Sequence, residues 1–515
     1  MKLTLLLAVC LCLVATMAEA QTRIACGDLS VVGLADTKVE TFERITPDPR
    51  WDYPPSLFNA RLGKDAYVGK GHDFCRVGGT IEGTIHFELW LPDNWNGKFQ
   101  GVGNGGFTGA INYPAMGEAL ARGYAVASTD LGHKSKSMFD VSWIRGRSQA
   151  LRNLMYRAQH LVALRSKELI LRFYGRRPNY AYFNGCSSGG WQGLTEAQKF
   201  PDDYDAILAG APAHDFVRLQ ANSLILAQLS AQHPEGNLSD QQMKAMNEAA
   251  IKQCDAKDGV KDGLIADPEH CGFDPASLQC KAGEKGDTCL SEAQVARARF
   301  LYGPRETKAG LRLYPGPAWG VVVAGKTAPR SLDDLALARG LDDLPQWTPQ
   351  TFDPDRDIPA LEAFYGYNMT AMNPDLSDFV SRGGKIIVYQ GWNDPSISPF
   401  HAIQYRQMVA DSMGAARMDE FYRLFMVPGM GHCRGGPGPD QFDALTALEN
   451  WVEKGEAPDR ITARHVENGK VTMSMPLCVY PKVAVYDGVG SSAAAENFTC
   501  KAPGASAGKG ETLGD

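Results

Sequence analysis

"PNYAYFNGCSSGGWQGLTEAQKFP", residues 178–201, reads in three parts. Its first residues are aromatic-rich and suit a strand. From Trp191 the apolar positions take helical spacing. Between them, Gly185-Cys186-Ser187-Ser188-Gly189 leaves room only for a sharp turn. A serine at the apex of strand–turn–helix stands in the open at a helix N-terminus, and flanking glycines remove side chains that would clash there. A Gly/Ser-rich surface turn could show the same five residues, but the strand before and the helix after favour a nucleophile.

Outward from this turn the alternation continues. "TIHFELWLP" (84–92) reads as a strand, "GKFQGVGNGGF" (97–107) as a strand entering a glycine loop, and "MGEALARGYAVASTD" (116–130) as helix then strand. "SQALRNLMYRAQHLVALRSKELILRFYG" (148–175) has helical periodicity. The rhythm breaks after "YDAILAGAPA" (204–213). It resumes with "GGKIIVYQGWNDP" (383–395), "HAIQYRQMVADSMG" (401–414), "FYRLFMVPGMGHC" (421–433) and "DQFDALTALENWVEKG" (440–455). Such alternation predicts an α/β fold with a mostly parallel sheet. Residues 21–213 and 379–501 are expected to form its two parts, 214–378 an inserted lid domain, and 502–515 a disordered tail. In the insert, "LILAQLSAQ" and "SEAQVARARFLYG" are the clearest helices.

The first 20 residues, with Lys2, an apolar run and Ala18-Glu19-Ala20 before Gln21, read as a cleaved secretory signal. The run is short for a membrane span, so no membrane attachment is expected after cleavage, and the mature chain is expected to be secreted or periplasmic. The formal net charge is −7, without a Lys/Arg run, which argues against a nucleic-acid partner.

A serine hydroxyl needs a base, and in α/β-hydrolases the order along the chain is Ser, Asp or Glu, His. Asp394 follows the strand "KIIVYQ", and His432 follows "FMVPG". His401 is a rival base, but it opens a predicted helix. His133 precedes the nucleophile, and Asp205 is the alternative acid. The oxyanion requires two aimed N–H groups: that of Ser188, and one from "GNGGF", with Gly106 preferred and Gly105 second. "GVGNGG" lacks the helix and the distant acid that a dinucleotide loop requires, and no organic cofactor is expected.

Cys10 and Cys12 fall in the signal. The other cysteines are even in number, and no C-x-x-C pair suggests zinc. Spacing does not fix connectivity. Loop closure favours Cys254 with Cys271, Cys280 with Cys289 and Cys478 with Cys500, while Cys26 with Cys75 would tie down the N-terminus. Cys186 and Cys433 remain. "CDAKDGVKDGLI" crowds Asp255, Asp258 and Asp262 together, with the carbonyls of Val260 and Leu264 at hand. A hard cation such as calcium would relieve the repulsion, and a solvated acidic turn is the alternative.

"GCSSGG", "GWNDPSISP" and "GMGHC" together resemble the tannase and feruloyl esterase family, and the likeness extends over nearly the whole mature chain. It implies an α/β-hydrolase fold with a large inserted lid and a Ser187–Asp394–His432 triad. It also implies a bond between Cys186, before the serine, and Cys433, after the histidine. Structural calcium would be held by Asp255, Asp258, Val260, Asp262 and Leu264. The family cleaves esters of aromatic acids. The expected substrates, of plant cell-wall or polyphenol origin, are hydroxycinnamate esters first, gallate esters second and mono(2-hydroxyethyl) terephthalate third. Trp319, Trp347, Phe364 and Tyr365 are candidate pocket walls, and Arg330 and Arg339 candidate carboxylate partners. An inactive relative that binds polyphenols or carbohydrates is the reading from a different class. Asn237, Asn368 and Asn497 occupy N-x-S/T frames, which matter only in a glycosylating host.

Overall fold

The computed structural model describes residues 24–31, 33–48, 56–58, 71–144, 148–284, 286–321 and 349–504. The leader with its cleavage site, Arg330, Arg339, Trp347 and residues 505–515 lie outside this set.

Nine strands among the described residues form one sheet: β1 Thr37–Ile45, β2 Phe74–Ile81, β3 Ile85–Pro92, β4 Lys98–Val102, β5 Ala125–Thr129, β6 Tyr180–Cys186, β7 Ala206–Gly210, β8 Lys385–Gly391 and β9 Tyr422–Val427. Their spatial order is β1-β2-β3-β5-β4-β6-β7-β8-β9. The first three pair antiparallel, as do β3 and β5, and all pairings from β5 through β9 are parallel.

Side-chain alternation shows why helices cover both faces. Phe183 of β6, Ile207 and Ala209 of β7, and Ile386 and Val388 of β8 enter one core. Tyr182, Ala206, Leu208 and Ile387 enter the other. Period-two side chains buried on both faces are the mark of a central parallel sheet. Helices Ala158–Tyr174, Ser188–Lys199 and Pro399–Met413 pack into the first core, and Tyr113–Ala121 and Ala444–Lys454 into the second. This is the α/β-hydrolase fold.

The long insertion enters after β7 and returns at β8. Helices Asp240–Cys254 and Glu292–Tyr302 enclose a core of their own, including Met243, Met246, Val295 and Tyr302. Each begins with a capping box, Ser239 with Gln242 and Ser291 with Gln294. Helices Phe216–Gln232 and Pro354–Met369 instead send Leu224, Ile358 and Leu361 into the main core. Trp319 stacks on Tyr302 at 4.0 Å and belongs to the insertion's core. Tyr365 is buried in the main core, whereas Phe364 is exposed. No helix among the described residues is long and apolar enough to cross a membrane.

Five disulfides join described residues: Cys26–Cys75, Cys186–Cys433, Cys254–Cys271, Cys280–Cys289 and Cys478–Cys500. Beneath the insertion, His214 and His401 stack with ring centroids 4.3 Å apart and planes 5° from parallel. Burial drives His401 down to about 3 and His214 well below its ordinary value. At His401 the unfolded chain therefore takes up a proton below about pH 6.5 that the folded chain refuses until near pH 3, and His214 acts in the same direction. Stability falls across that window as pH drops, by up to about 1.4 kcal/mol per pH unit for each histidine. Replacing His401 with Phe is expected to flatten the decline of melting temperature between pH 6 and pH 4. A slope equal to that of the parent would contradict this origin.

Candidate active site

The parallel strands β6, β8 and β9 end on the same edge of the sheet, and their following loops carry Ser187, Asp394 and His432. Ser187 sits at φ 65°, in the left-handed region that a non-glycine residue enters at a cost. Three hydrogen bonds hold it there. Its N–H donates to Gly210 O at 2.9 Å, and its carbonyl accepts from Trp191 N and Ala213 N. The flanking glycines are required by close approach: a Cβ on Gly185 would lie 2.6 Å from the Gly189 carbonyl carbon.

Asp394 is 1% exposed. Its Oδ1 accepts from the N–H groups of Ser396 at 2.8 Å and Ile397 at 2.9 Å. Its Oδ2 pairs with His432 Nδ1 at 2.8 Å and accepts from Gln390 Nε2 at 3.1 Å. A carboxylate held this way fixes the imidazole tautomer that presents a bare Nε2. Ser187 and His432 share no hydrogen bond among the described residues, but the residues adjoining them, Cys186 and Cys433, are bonded with Cα atoms 6.0 Å apart.

The glycine loop after β4 lies beside the turn that carries Ser187. A Cβ on Gly103 would stand 2.6 Å from the Gly189 Cα. Gly106 adopts φ 56° over the Met138 carbonyl, where a Cβ would be only 2.3 Å from the oxygen. Among the described residues the N–H groups of Gly105, Gly106 and Ser188 have no acceptor, and Ser188 opens its helix, where N–H groups lack intrahelical partners. A buried amide network anchors the loop. Asn104 Nδ2 donates to Ala110 O and Thr129 O, Asn104 N donates to Gln192 Oε1, and Gln159 Nε2 reaches both side chains. Sequence reasoning missed Asn104, Gln159, Gln192 and Gln390. Asn104 stands inside the quoted glycine loop, and Gln390 four residues before Asp394, so a search for buried amides around the motif could have found those two.

The rival groups are occupied elsewhere. His133 Nε2 bonds the Phe107 carbonyl at 2.9 Å while its ring stacks on Trp143, so it braces the glycine loop. Asp205 accepts from Ala181 N at 2.7 Å, at the opposite end of β6. His401 is in the buried stack. His160, Glu196 and Asp203 place ligand atoms within 4.8 Å of one another, but at the far end of helix Ser188–Lys199, where Lys167 adds a cation.

In the acidic loop, Asp258 Oδ1 accepts from Val260 N, Asp262 Oδ1 from Leu264 N, and Asp255 from the amides of Asp262 and Gly263. The Oδ2 atoms of Asp258 and Asp262 are buried and have no partner. Burial, with the neighbouring carboxylates adding to it, pushes Asp258 up to about 7 and Asp262 up to about 6. Orphaned, mutually repelling carboxylate oxygens fit a hard cation.

A family model described as tannase and feruloyl esterase matches residues 68–330 and 351–501. An uncharacterized esterase of Xanthomonas campestris pv. campestris is 34% identical, over 94% of this chain and 92% of its own. Feruloyl esterase B of Aspergillus niger is 31% identical, over 84% and 88%. The crystal structure of feruloyl esterase B from Aspergillus oryzae superposes with a TM-score of 0.84 at 29% identity, covering 92% of this chain and 99% of that one. Tannin acyl hydrolase from Aspergillus niger has a TM-score of 0.72 at 21% identity, covering 91% and 92%, and speaks for the fold. The chain belongs to the tannase and feruloyl esterase family, and with it to the carboxylic ester hydrolases.

Proposed function

We propose that this chain is a secreted serine esterase that hydrolyses esters of aromatic carboxylic acids, hydroxycinnamate esters above all, through an acyl-enzyme. The carrying observation is the Asp394–His432 pair, tied by the Cys186–Cys433 bond to a serine on a left-handed turn. His432 Nε2 takes the proton from Ser187 Oγ as that oxygen attacks the ester carbonyl. Asp394 holds Nδ1–H and stabilises the imidazolium. The N–H groups of Ser188 and Gly106 receive the oxyanion, and removal of one such donor typically costs about a hundred- to a thousandfold in kcat. His432 then returns the proton to the leaving alcohol, and water repeats the sequence on the acyl-enzyme. Export rests on the leader and the five disulfides.

The choice of acid follows the relatives. Compared in the same way, by superposed structures, feruloyl esterase B from Aspergillus oryzae stands at 29% identity and tannin acyl hydrolase at 21%. The insertion, as a lid over the strand ends, would shape the acyl pocket. Calcium at Asp255, Asp258, Asp262 and the carbonyls of Val260 and Leu264 would neutralise the orphaned carboxylate oxygens and stiffen the insertion.

On a panel of methyl ferulate, methyl caffeate, methyl gallate and a terephthalate monoester, methyl ferulate is expected to show the highest kcat/KM. Ser187→Ala is expected to abolish turnover on all four with an unchanged melting temperature. Retained turnover in that variant would displace Ser187 as nucleophile. Preference for gallate would move the substrate to the tannase class.

Cys433→Ser should lower kcat by about a hundredfold, because loss of about 1 Å of positioning costs that much. It should also lower the melting temperature, since closing so long a loop stabilises by roughly 4–5 kcal/mol in the chain-entropy picture. A variant with full kcat would reduce the bond to a stabilising role. Chelator treatment is expected to lower the melting temperature of the parent, with recovery on adding calcium. An unchanged melt, with no metal by elemental analysis, would leave an acidic turn.

A further inference from the structure

A cavity of about 770 Å³, counting the space at its mouth, lies between the insertion and the loop that carries Asp394. Neither Ser187 nor His432 lines it. Leu226, Leu238, Met243 and Tyr302 give it apolar walls, and Arg297 and Arg305 face it from the insertion. Both arginines are less than a tenth exposed. Among the described residues neither forms an ion pair with a carboxylate.

Their hydrogen bonds go to neutral groups. Arg297 donates to the carbonyls of Leu229 and His233 and to Asn237 Oδ1. Arg305 donates to Asn222 Oδ1 and the Leu301 carbonyl, and its buried Nε has no partner. Desolvated guanidinium groups that touch no carboxylate are costly in a folded protein. Asp394 also lines the cavity, but its oxygens are already occupied by the four donors described above. Tyr314, whose oxygen accepts from Ser398 N, retains its own O–H for donation. The unmet demand in this space is for an anion with an apolar body.

We propose that this cavity is a second ligand site, separate from the Ser187 centre, that binds a small aromatic monocarboxylate with its carboxylate against Arg305. Ser396 and Ser398 line the cavity, and the Ser396 N–H holds Asp394. Occupancy is thereby felt at the acid of the Asp394–His432 pair. The acid released from an aromatic ester is a ligand of this class, so the site couples product to turnover.

The test uses the full mature chain carrying Ser187→Ala, with trans-cinnamate as probe and uncharged cinnamamide as its control. Calorimetry reads binding without any turnover, so the result is independent of the proposed ester reaction. Two cinnamate sites are expected, one of which weakens by roughly ten- to a hundredfold with cinnamamide and with Arg305→Gln. Leu226→Trp, which fills the cavity while keeping the charge, should remove that same site. It also covers the case in which Arg305→Gln fails to fold. With Ser187 restored, either variant should keep its turnover of 4-nitrophenyl acetate and lose the noncompetitive part of cinnamate inhibition. No cinnamate binding, a single site unaffected by both variants, equal binding of cinnamamide, or purely competitive inhibition in the parent would each overturn the proposal.

Discussion

One covalent constraint organises the edge of the sheet where the site lies. Cys186 ends β6 and Cys433 follows β9, with β7 and β8 between them in the sheet. At about 4.8 Å per strand, those outer strands stand roughly 14 Å apart. The loop after β9 must therefore fold back over the end of β8 to bring the cysteines together. The contacts record that crossing. A Cβ on Gly391, the last residue of β8, would lie 2.3 Å from the Met430 carbonyl oxygen, and Asn393 N donates to that same oxygen. Ser187 and Cys433 both take positive φ, at 65° and 67°, so the chain is bent into left-handed backbone on each side of the bond.

Around this bond the remaining groups are held by buried polar contacts rather than by further covalent links. Backbone amides from the Ser396–Ile397 turn grip one oxygen of Asp394, and Gln390 reaches the other. The glycine loop is fixed from below by Asn104, Gln159 and Gln192 and from outside by His133. Each is a buried polar side chain whose loss would leave a partner unsatisfied, which is costlier than the bond is favourable. The geometry is thus set before any ligand arrives.

The sequence made the central strands and the site loops legible because their punctuation is strong. Apolar runs end in glycine at β6, β8 and β9, and only a few residues could follow. β1 and β2 escaped that reading. β1 is an edge strand that buries only its last residue, and β2 carries Gly78-Gly79, which imitates a turn. Those glycines serve close packing instead: a Cβ on Gly79 would lie 2.2 Å from the Lys38 carbonyl oxygen of the neighbouring strand. The hairpin of Arg460–Glu467 with Lys470–Cys478 also went unread, although Asn468-Gly469 at its tip is a strong local turn signal. Helix Asp240–Cys254 shows a sparse apolar stripe of Met243, Met246 and Ala250, and the Ser239–Gln242 capping box was its clearest mark. The amide network and the arginine-lined cavity were beyond sequence reasoning, because they depend on side chains brought together from distant segments.

The disulfides differ in how much chain they enclose. Four close loops of 9 to 49 residues, whereas Cys186–Cys433 spans 247 and encloses the whole insertion. A proteolytic cut anywhere between β7 and β8 outside the two small loops would divide the polypeptide into a light and a heavy fragment. The Cys186–Cys433 bond would keep those fragments a single covalent molecule. Under non-reducing conditions such a nicked esterase would migrate as one species, and only a reductant would reveal its two chains.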